Sequence, residues 1–123
     1  TGTDGFKDNQ LAVLEFPGAT ANLRCNMADP FGGPRRRFLI TGTEGSMEIM
    51  PLESGQITAR FTTPRGPYPK GSQQISLPVP AGRYDVELTA FAEAIRQGKS
   101  LPWNAAHDIA VHETALRAGG VKF

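Results

Sequence analysis

Apolar and polar residues alternate with a period of two in the first two thirds of the chain. The clearest case begins at Thr20, where one set of alternate residues is apolar and the other is polar. This pattern predicts an antiparallel strand with one face on a core and the other toward solvent or a partner. The apolar set is Ala21, Leu23, Cys25 and Met27, and the polar set is Thr20, Asn22, Arg24 and Asn26. Shorter runs predict further strands at residues 11–16, 37–41, 46–50, 56–62 and 73–77.

Glycine- and proline-rich segments separate these runs. Pro17-Gly18 predicts a turn, and Gly42-Thr43-Glu44-Gly45 predicts the turn of a hairpin. A glycine-rich loop can also bind phosphate, but such loops lead into the N-terminus of a helix. A strand follows this one, so we expect its glycines to serve a tight turn through positive φ angles.

The last third of the chain predicts two helices. Tyr84, Leu88, Phe91 and Ile95 form one helical stripe, which Gly98 ends. A second helix is predicted from the N-cap Asn104 to Gly119-Gly120, and its stripe contains Ala105, Ile109, His112 and Leu116. Strands followed by helices predict a single α+β domain over residues 1–123, with an open, mostly antiparallel sheet and two C-terminal helices packed on one face.

Composition narrows the classes of function. Thirteen basic and twelve acidic residues leave a net charge of +1, which does not favour nucleic acid or an anionic membrane as a partner. No apolar run approaches the roughly 20 residues that a transmembrane helix needs. The single cysteine, Cys25, cannot form an internal disulfide and is expected to be a buried small apolar residue. We therefore expect a cytoplasmic protein.

Arg35, Arg36 and Arg37 form the one basic cluster in the sequence. Guanidinium groups suit carboxylate or other anionic ligands. The favoured interpretation is nevertheless a solvated sheet margin, where charges discourage edge pairing.

The second predicted helix contains the residues that most resemble a catalytic group. Asp108 and His112 are four residues apart and share a helix face, as an acid–base pair would. His107 and His112 lie on different sides, which disfavours a metal site. We expect Asp108 to stabilise the helix N-terminus, His112 to be a core residue, and Trp103 and Tyr84 to anchor packing.

Four phrases, taken in order, resemble the C-terminal region of the Gfo/Idh/MocA oxidoreductase family. They are LAVLEFPGATANLRC, RRFLITGTEGSMEIMPLE, RYDVELTAFAEAIRQGKSLPW and AAHDIAVHETALRAGG, and the first begins at residue 11 and the last ends at residue 120. The resemblance implies a longer enzyme that oxidises a sugar or polyol-like substrate with NAD or NADP. Its N-terminal Rossmann domain would bind the cofactor, and a Glu-Lys-Pro segment and an Asp-x-x-x-His element would act on the substrate.

The resemblance assigns no cofactor-binding, catalytic or metal-binding residue to this chain, which has no dinucleotide fingerprint and no Glu-Lys-Pro segment. Asp108-x-x-x-His112 follows the predicted sheet, whereas the family's catalytic pair precedes it, so that role is not transferred. The resemblance implies a substrate-binding role for Arg35 and Arg36, in the loop that borders the family's pocket. It also implies that one face of the sheet contacts another subunit in a homo-oligomer.

Two other functions remain open at the level of sequence. One is a non-catalytic interaction or dimerisation module built on the sheet. The other is an independent hydrolase or metal enzyme that uses His107, Asp108, His112 and Glu113.

Overall fold

The computed structural model describes residues 8–79, 81–82 and 84–122. The chain divides into two compact units, Thr1–Asp29 with Tyr84–Phe123 and Pro30–Arg83. The first unit contains a two-stranded sheet and two helices, and the second contains a four-stranded sheet. All strand pairs are antiparallel, and neither sheet is closed, so the α+β class with an open antiparallel sheet is confirmed.

The two-stranded sheet joins β1 (Asn9–Phe16) to β2 (Ala19–Asn26) across the predicted turn at Pro17-Gly18. Even-numbered residues of β1 from Gln10 to Leu14 are half-buried, and the odd-numbered residues between them are exposed. Helix α2 packs against β1, and the Gln10 side-chain nitrogen donates to the Gly119 carbonyl at 3.4 Å. The face that carries Gln10 is therefore the inner face of this sheet, and the opposite face is its outer face.

Both helices begin and end close to the predicted residues. Helix α1 spans Asp85–Gln97 and ends at Gly98, whose φ of 64° is the left-handed conformation of a helix C-terminus. Helix α2 spans Ala105–Ala118, and the Asn104 side chain accepts a hydrogen bond from the His107 backbone N–H at 2.9 Å. None of the helices in the described residues has the length and apolar character needed to cross a bilayer.

The second unit begins with a short 3-10 helix, Gly33–Arg35, and continues into β3 (Phe38–Gly42), β4 (Gly45–Ile49), β5 (Gln56–Phe61) and β6 (Gly71–Ser76). The strands lie side by side in chain order. Gly42 and Gly45 pair at the end of the predicted hairpin. A Cβ at Gly45 would stand 2.1 Å from the Arg60 carbonyl oxygen, so this position requires glycine.

One face of the four-stranded sheet is apolar and the other is polar. Registered pairs place a row of four apolar side chains across the apolar face: Phe38, Ile49, Ile57 and Ile75. On the polar face, the Gln74 side-chain nitrogen donates to Thr58 Oγ1 at 2.9 Å, and the Gln56 nitrogen donates to Ser76 Oγ at 3.1 Å.

The loop between β5 and β6 folds over part of the apolar face. Gln73, which shares this face with Ala59, donates from its side-chain nitrogen to the Pro69 carbonyl at 2.8 Å. The Tyr68 ring lies 6.3 Å from the Phe61 ring, centroid to centroid. Ala59 is completely inaccessible to solvent, and among the described residues it is the one buried apolar side chain.

Several predictions of burial are wrong. Cys25 is exposed, and Leu23 and Met27 on the same face are 47% and 77% exposed, because α2 covers the β1 side of this sheet. His112 is exposed rather than a core residue. Trp103 and Tyr84 are each 62% exposed and anchor no packed core in the described residues.

The predicted stripe of α1 exists as a row along the helix, but all four of its side chains are exposed: Tyr84, Leu88, Phe91 and Ile95. The apolar stripe of this helix is therefore left in water.

Candidate functional site

An apolar pocket of about 550 Å³ opens in the second unit, beside the C-terminal end of β4. Its volume lies within the range of small-molecule sites, roughly 300–1,000 Å³. Two segments distant in sequence form its walls, one after β4 and one after β6. The lining residues are Ile49, Leu52, Glu53, Gly55, Leu77, Pro78, Val79 and Gly82.

Gly55 allows the two walls to approach each other. It is buried and has a φ of 64°, and its carbonyl accepts a hydrogen bond from the Leu77 backbone N–H at 2.7 Å. A Cβ at this position would stand 2.3 Å from Val79 Cγ2 and 3.0 Å from the Leu77 carbonyl oxygen. A side chain at residue 55 would therefore push apart the two segments that form the pocket.

Arg36 lies at the rim of the pocket. Its backbone N–H caps the 3-10 helix by donating to the Gly33 carbonyl, and its Nη1 lies 2.8 Å from Glu53 Oε1. The side chains are 46% and 59% exposed, so water screens the pair and its contribution to stability is small. For ligand binding, the pair supplies a cation and a carboxylate at the edge of an apolar cavity.

Arg35 and Arg37 are not among the described residues that line the pocket. Arg35 is the last residue of the 3-10 helix, and Arg37 Nη1 lies 3.7 Å from Glu48 Oε1 on the polar side of the sheet. Of the two predicted substrate-binding residues, Arg36 is therefore at the pocket rim through Glu53, and Arg35 directly precedes it. A substrate-binding role for both stays a prediction.

The sequence did not reveal the apolar lining of this pocket. Leu52, Leu77 and Val79 come from loop segments about 25 residues apart, with no shared periodicity. The one available signal was Gly55 directly before a predicted strand, where glycine often marks a close backbone approach. Such a signal gives a position but not the chemistry of a site.

Helix α2 does not assemble the acid–base pair that its sequence suggests. In the described part of the chain, no hydrogen bond or ion pair joins the side chains of Asp108 and His112. The His107 ring stacks on the Trp103 ring at 4.7 Å, and Glu113 Oε1 lies 2.5 Å from Arg117 Nη2. No group of three or more potential metal ligands occurs among the described residues.

The outer face of the two-stranded sheet is a second candidate site, for a protein partner. It carries Leu11 and Val13, which are 64% and 55% exposed. The register places Val13 opposite Asn22 and Leu11 opposite Arg24, which hydrogen-bonds Asn9 at 3.4 Å. Apolar side chains among amides, hydroxyls and a hydrogen-bonded arginine are the composition of an ordinary protein–protein interface.

Comparison with known proteins finds no matching family model, no matching curated protein and no matching solved structure. The family resemblance of the four sequence phrases is therefore carried by the sequence alone.

Proposed function

We propose that this chain is the C-terminal part of an NAD(P)-dependent oxidoreductase of the Gfo/Idh/MocA type, acting on a sugar or polyol-like substrate. Its own role is to form one wall of the substrate pocket and a contact between subunits of a homo-oligomer. A Rossmann domain outside this chain binds NAD or NADP, and the enzyme works in the cytoplasm.

The observation that carries this proposal is the exposure of apolar side chains along regular elements. Most large apolar side chains among the described residues are exposed, including Leu11, Phe38, Phe91 and Ile95. Water does not favour such surfaces, since removing apolar area from water stabilises by roughly 25 cal/mol per Å². Helices and strands with exposed apolar faces are typical of a segment that packs against another domain or subunit.

The outer face of the two-stranded sheet is the proposed subunit contact. Three of its polar residues from β2, Thr20, Asn22 and Asn26, are uncharged, and the fourth, Arg24, hydrogen-bonds Asn9. The amide and hydroxyl side chains offer hydrogen bonds without the desolvation of a charge, which favours a sheet-to-sheet contact containing some water. Leu11 and Val13 supply the apolar area at its centre.

Arg35 and Arg36 are the proposed substrate-side residues. Arg36 is paired with Glu53 in the segment that precedes β3, and guanidinium groups donate several hydrogen bonds in a fixed geometry. A polyol or an oxidised sugar offers acceptor oxygens that match this geometry. The cofactor and the groups that move hydride and proton belong to the remainder of the enzyme in this proposal.

Titration of the purified chain with NADH and with NADPH tests the assignment of the cofactor site. Cofactor fluorescence reports binding, and circular dichroism of the same sample establishes that it is folded. The proposal predicts no saturation at millimolar cofactor. Saturable binding of either nucleotide would place a cofactor site within this chain and would contradict the proposal.

The alternative is a non-catalytic interaction or dimerisation module built on the same sheets. One observation favours this module over an independent enzyme: no hydrogen bond or ion pair joins the side chains of Asp108 and His112 in the described part of the chain. The gene distinguishes the two: an upstream Rossmann fingerprint in the same reading frame supports the oxidoreductase, and a start codon next to Thr1 supports the module.

A further inference from the structure

We propose that the apolar pocket of the second unit binds a small neutral molecule that is mostly apolar and donates one hydrogen bond to Glu53. This site goes beyond the proposed function, which assigns the polyol-like substrate to Arg35 and Arg36 and assigns no ligand to the apolar cavity. It rests on the lining and rim of the pocket and not on the assignment of the chain to an oxidoreductase.

The residues that line the pocket favour a ligand that is apolar over most of its surface. Ile49, Leu52, Leu77, Pro78 and Val79 provide aliphatic walls, and among the described residues Glu53 is the one charged residue that lines the cavity. Leu77 and Val79 remain 44% and 60% exposed, so a ligand in the pocket would cover apolar surface that the chain leaves in water. Pockets of this kind bind through apolar contact and a few placed polar groups.

The ion pair at the rim favours a ligand whose polar group is uncharged. Arg36 and Glu53 compensate each other's charge at 2.8 Å. This compensated pair gives a charged ligand no net attraction to offset the cost of moving its charge into an apolar cavity. An uncharged hydroxyl or N–H avoids that cost and donates to the Glu53 carboxylate, which accepts more than one hydrogen bond.

The geometry at Gly55 gives this pocket a fixed form. The hydrogen bond from Leu77 N–H to the Gly55 carbonyl at 2.7 Å joins the two walls, and the absence of a Cβ lets Val79 close over them. A cavity held by backbone contacts is present before a ligand arrives, which reduces the ordering cost of binding.

A set of three naphthalene compounds tests both the place and the charge preference. The full chain, labelled with ¹⁵N, is titrated with 2-naphthol, with 2-naphthoate and with the ammonium form of 2-naphthylmethylamine, and amide shifts are followed by NMR. We expect saturable 2-naphthol shifts at residues 49–55 and 77–79, and affinity about tenfold lower for both charged compounds, because each brings an uncompensated charge to the apolar lining.

Two variants and a matched control sharpen the test. Val79→Asp should weaken 2-naphthol binding by about tenfold or more, because it places a charge against the apolar body. Ile40→Asp, a comparably exposed position in the same unit that does not line this pocket, should leave binding unchanged. Glu53→Gln should raise affinity for 2-naphthoate relative to the unaltered chain, since it leaves the Arg36 charge uncompensated and able to attract a carboxylate.

The amide spectrum of each variant shows directly whether it is folded. Equal affinity for the three compounds, shifts centred on other exposed apolar residues such as Phe38, or no shift at millimolar 2-naphthol would each overturn the proposal. None of these results depends on whether the chain binds a nicotinamide cofactor or forms an oligomer, so the two proposals fail separately.

Discussion

Gly55 and Val79 approach so closely that a Cβ on Gly55 would lie 2.3 Å from Val79 Cγ2. Residue 55 directly precedes β5 and residue 79 follows β6, so this approach holds together the two loop segments that form the apolar pocket. The left-handed φ of Gly55, 64°, adds a second reason why other residues do not fit.

Gly55→Ala is therefore expected to destabilise the chain by about 1–3 kcal/mol, from the left-handed backbone and the displaced Val79 side chain. Urea denaturation followed by circular dichroism gives the change. Gly66→Ala, with a φ of 55° and no atom within 4 Å of the new Cβ, should show the smaller backbone effect alone. Equal destabilisation by the two variants would contradict the close approach.

Gly45→Ala is expected to disrupt the β3–β4 hairpin. Its Cβ would stand 2.1 Å from the Arg60 carbonyl oxygen on β5, and a backbone atom cannot move aside as a side chain can. We expect a loss of about 2 kcal/mol or more, measured by the same denaturation. Gly42→Ala at the other end of the same turn should be tolerated, because the new Cβ would lie 3.9 Å from the Gly45 carbonyl oxygen. A similar loss there would refute the steric explanation.

Asn104→Ala is expected to weaken the first turn of α2. The Asn104 side chain satisfies the His107 N–H at 2.9 Å, and removal of such a cap costs about 1 kcal/mol. Hydrogen exchange of the amides at the start of α2 should accelerate. Asn104→Asp preserves the acceptor and should retain slow exchange, so acceleration in both variants would show that the cap is not responsible.

Glu53→Gln is expected to change the free energy of unfolding by less than about 1 kcal/mol, because both partners of the Arg36 pair are exposed to solvent and screened. The small effect should shrink further in high salt. Denaturation at low and high ionic strength measures both quantities. A loss several times larger would show that the pair is structural and not only part of the pocket rim.

Local structure was predictable because local residues determine it. The alternation around Thr20, the Gly42–Gly45 turn, the Asn104 cap and the Gly98 end all act over a few residues, and each is confirmed. Burial was less predictable, because it depends on what covers a face. Periodicity correctly separated the faces of β2, but it could not show that α2 covers β1 and leaves Cys25 exposed.

The candidate sites likewise contain residues that local sequence patterns reveal and residues that only long-range contacts bring together. Arg36 was available to sequence analysis as one of a cluster of arginines, whereas its partner Glu53 and the apolar walls come from separate loops. Asp108 and His112 had the spacing of a catalytic pair, but spacing on one helix does not create a contact between side chains. A pocket formed by long-range contacts has no periodic signature in the sequence.

Sedimentation velocity over a wide range of protein concentration tests most directly whether the outer face of the two-stranded sheet is a subunit contact. We expect the sedimentation coefficient of the unaltered chain to rise with concentration. Val13→Lys, on the outer face, should suppress that rise, and Leu23→Lys, at a similarly exposed position on the inner face, should not. A folded chain that remains monomeric at high concentration, or an association that Val13→Lys leaves unchanged, would contradict the account.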